Sequence, residues 1–213
     1  MTESQLLATI EAGAEGLNEA LPPEGAEKLV RLLRELERWN RRMNLTAIRA
    51  AADMVATHVT DSLSVRPFLA GDAILDVGTG AGFPGLPLAI AEPGRRFTLL
   101  DSNARKIGFV QHITSMLGLE NVTAVRARAE DYAPGRGFDT VIARAVTTVA
   151  GLIDLSAHLI NEGGVLLALK GKRPDEELEA LPADWTYRVT KLLVPGLEDH
   201  ARHVVAVSRG PAA

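Results

Sequence analysis

The stretch ILDVGTGAGFPG, residues 74–85, sets a short apolar run holding one aspartate, Asp76, directly ahead of four glycines within eight residues. An apolar run of this length reads as a buried strand, and the glycines behind it let the chain turn tightly. They also let backbone N–H groups come close to a ligand at the start of the next helix. Residues 80–85, GAGFPG, fit the G-x-G-x-x-G spacing, which many nucleotide-binding loops share. Two ligands compete for such a loop: a dinucleotide such as NAD, or S-adenosylmethionine.

Downstream, short β-branched and apolar segments recur: AILDVG (73–78), RFTLLDS (96–102), VTAVRAR (122–128), FDTVIARA (138–145) and GGVLLALKG (163–171). Helix-like stretches lie between them, such as ARKIGFVQHITSMLG (104–118) and VAGLIDLSAHLI (149–160). Buried strands alternating with helices predict a parallel, doubly wound sheet. The end breaks that rhythm. WTYRVTKLLVPG (185–196) and ARHVVAVSRG (201–210) are joined by a segment too short for a crossover helix, which predicts an antiparallel pair. RPDEELEALPAD (173–184) is acidic and reads as an exposed helix or loop.

Upstream, TESQ at residues 2–5 has the spacing of a capping box, with Leu6, Leu7 and Ile10 following at helical intervals. Pro22 and Pro23 break that helix. The next, over about residues 24–43, carries Leu29, Leu32, Leu33, Leu36, Trp39 and Met43 on one face. Arg31, Arg34, Arg38, Arg41 and Arg42 gather on the other, diluted by Glu27 and Glu35. HVTDSLSV (58–65) reads as a further helix start. The expected organisation is a helical extension over residues 1–70 packed on one compact unit over residues 71–213.

Composition narrows the chemistry. With 213 residues, 46% hydrophobic and 23% charged, the chain is of ordinary globular composition. It holds no cysteine, which excludes disulfides, thiolate metal sites and a cysteine nucleophile. The start MTESQLLATIEAG lacks the basic opening of a signal peptide, and no apolar stretch is long enough to span a bilayer. A cytoplasmic protein without membrane contact is expected. The net charge is -4, yet residues 28–49 hold seven basic and two acidic side chains, a local +5 that leaves -9 elsewhere. Such a sector can hold a phosphate backbone or be a solvated helix face. The five histidines show no metal-binding spacing, and no metal is expected.

Three features favour S-adenosylmethionine over a dinucleotide. Asp76 precedes the glycines, where a carboxylate can meet an ammonium group directly or through water. Asp101 closes the next strand, placed to accept from ribose hydroxyls, although an acid there serves NAD as well. The reversed terminal strand is the mark of the class I methyltransferase sheet, a Rossmann-like α/β fold. ARAEDY (127–132) then offers Glu130, or the backbone around Ala129, to an adenine edge, or else a helix cap at Asp131. For the methyl acceptor, the missing cysteine disfavours carbon-5 of a pyrimidine. ARAVTT (143–148) stands where a proline-pair loop would serve an exocyclic amine. Guanine N7 offers an in-plane lone pair and needs no general base. Arg144, at the end of the fourth strand, could hold the methionine carboxylate, donate to guanine O6, or pair with a neighbouring acid.

WNRRMNLTAI (39–48), HVTDSLSV (58–65), LDVGTGAGFPGLPLAI (75–90), FTLLDSNARKIGFV (97–110), FDTVIARAV (138–146), ALKGK (168–172) and RHVVAV (202–207) run in order through nearly the whole chain. Together they resemble the bacterial 16S rRNA (guanine-N7) methyltransferase family, also called glucose-inhibited division protein B. The resemblance implies methylation of N7 of guanine 527 of 16S rRNA, with the small ribosomal subunit or its assembly intermediate as partner and S-adenosylhomocysteine as product. It implies cofactor contacts at Gly78, Phe83, Asp101, Ala129 and Glu130, with Arg144 lining the pocket as the one catalytic candidate; Asp76, Gly80, Gly82 and Ser102, beside these in the same loops, complete the expected cofactor set. Candidate RNA-side residues are Arg34, Arg38, Arg41, Arg42, Asn44, His58, Lys170, Lys172 and Arg202. Thr60 departs from the family, which carries a bulkier residue there. One compact unit suggests a monomer. The alternatives are a small-molecule methyltransferase on the same sheet, and an NAD-binding module or oxidoreductase.

Overall fold

Strand β1 (Ala73–Val77) buries four residues in succession, Ile74 to Val77, as a strand covered on both faces must. In this computed structural model, which describes residues 1–210, β1 lies inside a sheet of order β3-β2-β1-β4-β5-β7-β6. It pairs in parallel with β2 (Arg96–Asp101) and β4 (Phe138–Arg144). β3 (Val122–Arg126) extends the parallel set on one side and β5 (Ile160–Lys170) on the other. β7 (Arg202–Arg209) then runs antiparallel to both β5 and β6 (Trp185–Leu192). The terminal pair is therefore antiparallel as predicted, with the last strand inserted inside the edge.

Helices α5 (Gly85–Ala91), α6 (Ala104–Leu117) and α7 (Val149–Ser156) supply crossovers. α6 starts where Asn103 accepts from the backbone N–H groups of Arg105 and Lys106, and stops at Gly118 in a left-handed conformation. Two details differ from the sequence reading. β5 begins at Ile160 rather than at residue 163, because the strand runs through Gly163 and Gly164 with a register shift against β4. That glycine pair marks a bulge, not a strand start. No helix joins β3 to β4; Pro134, Gly135 and Gly137 fall in that connection and break helical continuity.

The N-terminal helices share the core of the sheet. α1 (Glu3–Gly16) opens with the Thr2–Gln5 capping box. From α2 (Gly25–Met43), Leu29, Leu32, Leu33 and Leu36 join one apolar cluster with Ile74, Leu86, Phe97 and Phe109. Each such fully buried side chain contributes about 1.5–3 kcal/mol. The other face of the sheet has its own cluster, in which Leu152 of α7 joins Leu75, Val141 and Leu166 of the strands. α3 (Ala51–Met54) runs without a break through a π-helical stretch, Val55–Thr60, into α4 (Asp61–Leu63). Thr60 is buried there, and a Cβ on Gly13 would come within 2.7 Å of its Oγ1. A close crossing with α1 thus accounts for the small residue at position 60. α8 (Asp175–Glu179) is short and acidic. No helix among the described residues is long and apolar enough to cross a membrane.

Candidate active site

Parallel strands β1, β2, β4 and β5 end at one edge of the sheet, and the strand order reverses at β1. In open α/β sheets ligands bind at that switch point, outside the carboxyl ends of the strands. On the β1–β2 side the glycine loop forms the wall. Gly78, Gly80 and Gly82 take φ values of 67°, 62° and 89°, which side chains rarely adopt. A Cβ on Gly78 would lie 2.8 Å from Val146 Cγ2, whereas one on Gly80 would meet nothing closer than Gly78 O at 3.9 Å. The space over Gly80 is therefore open.

Two aspartates brace this loop. Asp76 Oδ2 accepts from Thr79 Oγ1 at 2.6 Å and from the Gly85 N–H at 2.8 Å. Its Oδ1 is buried without a partner among the described residues. Burial pushes the Asp76 carboxyl up to about 6, against the pull of those two hydrogen bonds. Asp101 Oδ2 accepts from the Gly80 N–H at 3.0 Å, and Oδ1 from the Asn103 N–H at 2.8 Å. Ser102 and Glu130 are exposed at this edge and Ala129 is buried. An unpartnered carboxylate oxygen, an open glycine cradle and a carboxylate at the end of β2 fit a ligand that brings an ammonium group and ribose hydroxyls.

On the β4–β5–β7 side a cavity of about 480 Å³ is lined by Thr57, Asp61, Arg144, Lys170, Arg202 and His203, among others. Arg144, the last residue of β4, donates through Nη1 to Thr57 O at 2.9 Å and to Asp61 Oδ2 at 3.2 Å. Arg202, the first residue of β7, donates through Nε to Asp61 Oδ1 at 3.0 Å. Of the three readings open for Arg144, the pairing with an acid is the one this geometry displays. Lys170 Nζ donates to Glu177 Oε2 at 2.7 Å and to Thr147 O at 2.9 Å. Glu177 Oε2 also accepts from the Val149 N–H. The β4–α7 loop is thereby tied where it enters α7, and Ala145 within it holds a left-handed φ of 56°, the sort of local strain that gathers at functional sites.

His58 corrects the sequence reading most clearly. Expected on the RNA side, it is only 6% exposed and stacks on Phe83 of the glycine loop, with ring centroids 4.6 Å apart. Its Nε2 lies 2.9 Å from Thr46 Oγ1, and Asn40 holds the Thr46 backbone through both its N–H and its carbonyl. Burial, and then the charge of Arg144, lowers the His58 imidazole to about 4, so it is neutral near pH 7. Its place is to tie the end of α2 to the glycine loop.

The remaining basic candidates divide. Arg34 is half-buried, donating to Glu37 at 2.9 Å and to Met1 O at 2.7 Å. Arg38 pairs with Glu35 at 3.2 Å but stays largely exposed. Lys170 and Arg202 are occupied by carboxylates, as above. Arg41, Arg42, Lys172 and Asn44 are exposed, and neither Arg41 nor Arg42 has an ion pair among the described residues. Asn44 is the left-handed C-cap of α2. Asp61, Glu177 and Asn40 were given no individual role by sequence reasoning; Asp61 stands in plain view in HVTDSLSV, but its partners do not. Thr46, expected on the RNA side as part of NLT at 44–46, is instead half-buried against His58. No group of three or more His, Asp or Glu among the described residues is arranged to hold a metal.

Solved structures share this architecture. Magnesium protoporphyrin IX methyltransferase from Synechocystis, solved with S-adenosylmethionine bound, superposes with a TM-score of 0.59 at 16% identity, covering 83% of this chain and 96% of that one. An rRNA methylase from Streptococcus thermophilus gives 0.51 at 16% identity, covering 70% and 93%. At such identities the likeness is of fold. The fold is that of the class I S-adenosylmethionine-dependent methyltransferases, and the family to which the sequence belongs decides against the dinucleotide reading of the glycine loop.

The family model described as GidB, rRNA small subunit methyltransferase G, matches residues 25–205. The chain is 45% identical over 206 residues to ribosomal RNA small subunit methyltransferase G of Alkalilimnicola ehrlichii, covering 96% of this chain and 93% of that protein. It is 43% identical over 213 residues to the same enzyme of Xanthomonas axonopodis pv. citri, covering 99% and 100%. The chain belongs to the rRNA small subunit methyltransferase G family.

Proposed function

We propose that this enzyme methylates N7 of guanine 527 in 16S rRNA. The observation that carries the reading is the family match along nearly the whole chain. The cavity supports it, since guanidinium groups of Arg144 and Arg202 line it at the carboxyl end of β4 and the start of β7, and arginine N–H groups pair well with guanine O6 and with phosphate. S-adenosylmethionine, when bound, supplies an electrophilic methyl group that an in-plane lone pair can take without proton removal.

The chain's own contribution is alignment, which can supply much of the acceleration in such a displacement. In this reading Gly78, Gly80, Gly82 and Phe83 flank the methionine end, and Asp76 accepts from its ammonium group. Asp101 accepts from the ribose hydroxyls, with Ser102, Ala129 and Glu130 near the adenine. Arg144 orients the guanine and is the catalytic residue. Arg41, Arg42, Asn44 and Lys172 form the exposed surface that meets the RNA, with Arg38 at its margin. Lys170 keeps the β4–α7 loop in place. The enzyme acts as a cytoplasmic monomer on the small subunit or an assembly intermediate.

The test is transfer of labelled methyl groups to naked 16S rRNA, to assembly intermediates and to complete small subunits, all from a strain lacking the modification. Incorporation into at least one of them is expected. Failure with all three would overturn the reading.

A further inference from the structure

Asp61 is 5% exposed, yet its carboxylate accepts from only two groups among the described residues, the guanidiniums of Arg144 and Arg202. Those arginines come from the end of β4 and the start of β7, and Asp61 closes the π-helical stretch against them. A buried carboxylate with no part in capping or bracing its own backbone stands in contrast to Asp76, which organises its loop. Around the cavity, three cationic side chains (Arg144, Arg202 and Lys170) face two carboxylates, Asp61 and Glu177. Without Asp61 the two guanidiniums would stand together uncompensated.

We propose that Asp61 is a positioning residue that sets the charge of the acceptor cavity. It fixes Arg144 and Arg202 side by side as donors while cancelling one of their two charges. The inference rests on the N7 reading above, because that reaction changes the charge of the base. The lone pair of N7 forms the new N–C bond as the S–C bond breaks with its pair left on sulfur. One unit of positive charge moves from sulfur to the guanine ring, and no proton is released. Two bare guanidiniums beside that ring would oppose the charge as it develops. A shared carboxylate keeps their N–H donors and lowers the repulsion. The residual positive balance still disfavours the cationic product relative to the neutral base, which assists release.

The experiment compares wild type with Asp61→Asn and Arg202→Gln, after melting curves and S-adenosylmethionine titration on each. Small subunits are used in two forms, unmethylated and fully methylated, and their affinities are measured with S-adenosylhomocysteine bound. Single-turnover transfer is measured on the unmethylated form. For Asp61→Asn, transfer slows about tenfold or more, and the methylated subunit loses about fivefold more affinity than the unmethylated one, as an uncompensated charge near the ring requires. Arg202→Gln, which removes a cation, shifts the preference the other way, towards the methylated form. That opposite sign is the readout a merely structural ion pair would not give. If Asp61→Asn fails to fold, the direction of the Arg202→Gln shift decides alone. An equal change for both forms of the subunit overturns the proposal. The N7 reading stands or falls separately, on which atom the wild-type enzyme methylates.

Discussion

On the β1–β2 side of the switch point the wall is made mainly of backbone. Three glycines hold left-handed turns there, and two aspartates accept from N–H groups of the loop itself. On the β4–β7 side the wall is made of side chains, and each cation is held by a carboxylate from another element. A backbone cradle is fixed by local chain geometry, so one ligand chemistry can be kept while other parts of a fold diverge. A lattice of ion pairs can be rebuilt one residue at a time, which puts acceptor choice where substitution acts most freely.

Substitutions that should separate the two sides test this contrast. Arg144→Ala is expected to slow transfer by about 10²–10³-fold, as loss of a single oriented donor does in other active sites. S-adenosylmethionine affinity, read by calorimetry, stays within about threefold. A large loss of cofactor affinity would place Arg144 on the methionine carboxylate instead.

Asp76 gives the next effect. Its folded-state value of about 6 lies above the ordinary 3.8, so its favourable contribution is complete below the lower value and is lost as pH rises through the higher. Asp76→Asn should therefore gain about 2–3 kcal/mol of stability relative to wild type between pH 4 and pH 7 in denaturant titrations without ligand, while losing cofactor affinity. His58, lowered to about 4, has the opposite slope: its contribution is present above 6.5 and lost as pH falls towards 4. That slope is common to both proteins and cancels in the difference. A pH-independent difference would mean that Asp76 is not desolvated as described.

Asp101→Ala should weaken S-adenosylmethionine binding by about 30-fold, through the loss of charged hydrogen bonds. Transfer should recover at saturating cofactor; a deficit that persists would couple the two sides. Reversing Arg41 and Arg42 to glutamate should weaken binding to the small subunit by about tenfold and flatten its salt dependence. Cofactor affinity should not change. Unaltered subunit binding would move the RNA surface elsewhere.

The same contrast explains what could be read in advance. The glycine loop, Asp76, Asp101 and the antiparallel terminal pair depend on neighbours close in sequence, and their patterns were legible. On the acceptor side Arg144 and Arg202 could be named but not the acid between them, because Asp61 meets partners 83 and 141 positions away, and no periodicity carries such a pairing. His58 misled for a related reason. A histidine in a polar motif reads as exposed until Phe83 and Thr46 are folded over it. Arg34 and Lys170 likewise looked available to RNA because nearby acids, Glu37 and Glu177, do not declare their partners in a linear reading. In β5 the glycine pair carried the usual signature of a strand start, and only its pairing with β4 reveals a bulge.

The central claim is the atom that receives the methyl group. Unmodified small subunits, together with their naked rRNA and assembly intermediates, can be incubated with the enzyme and labelled S-adenosylmethionine, digested, and the modified nucleotide mapped by mass spectrometry. The expected result is a single 7-methylguanosine at nucleotide 527 of 16S rRNA, formed far more slowly with Arg144→Ala. A methyl group on any other atom or nucleotide would contradict it.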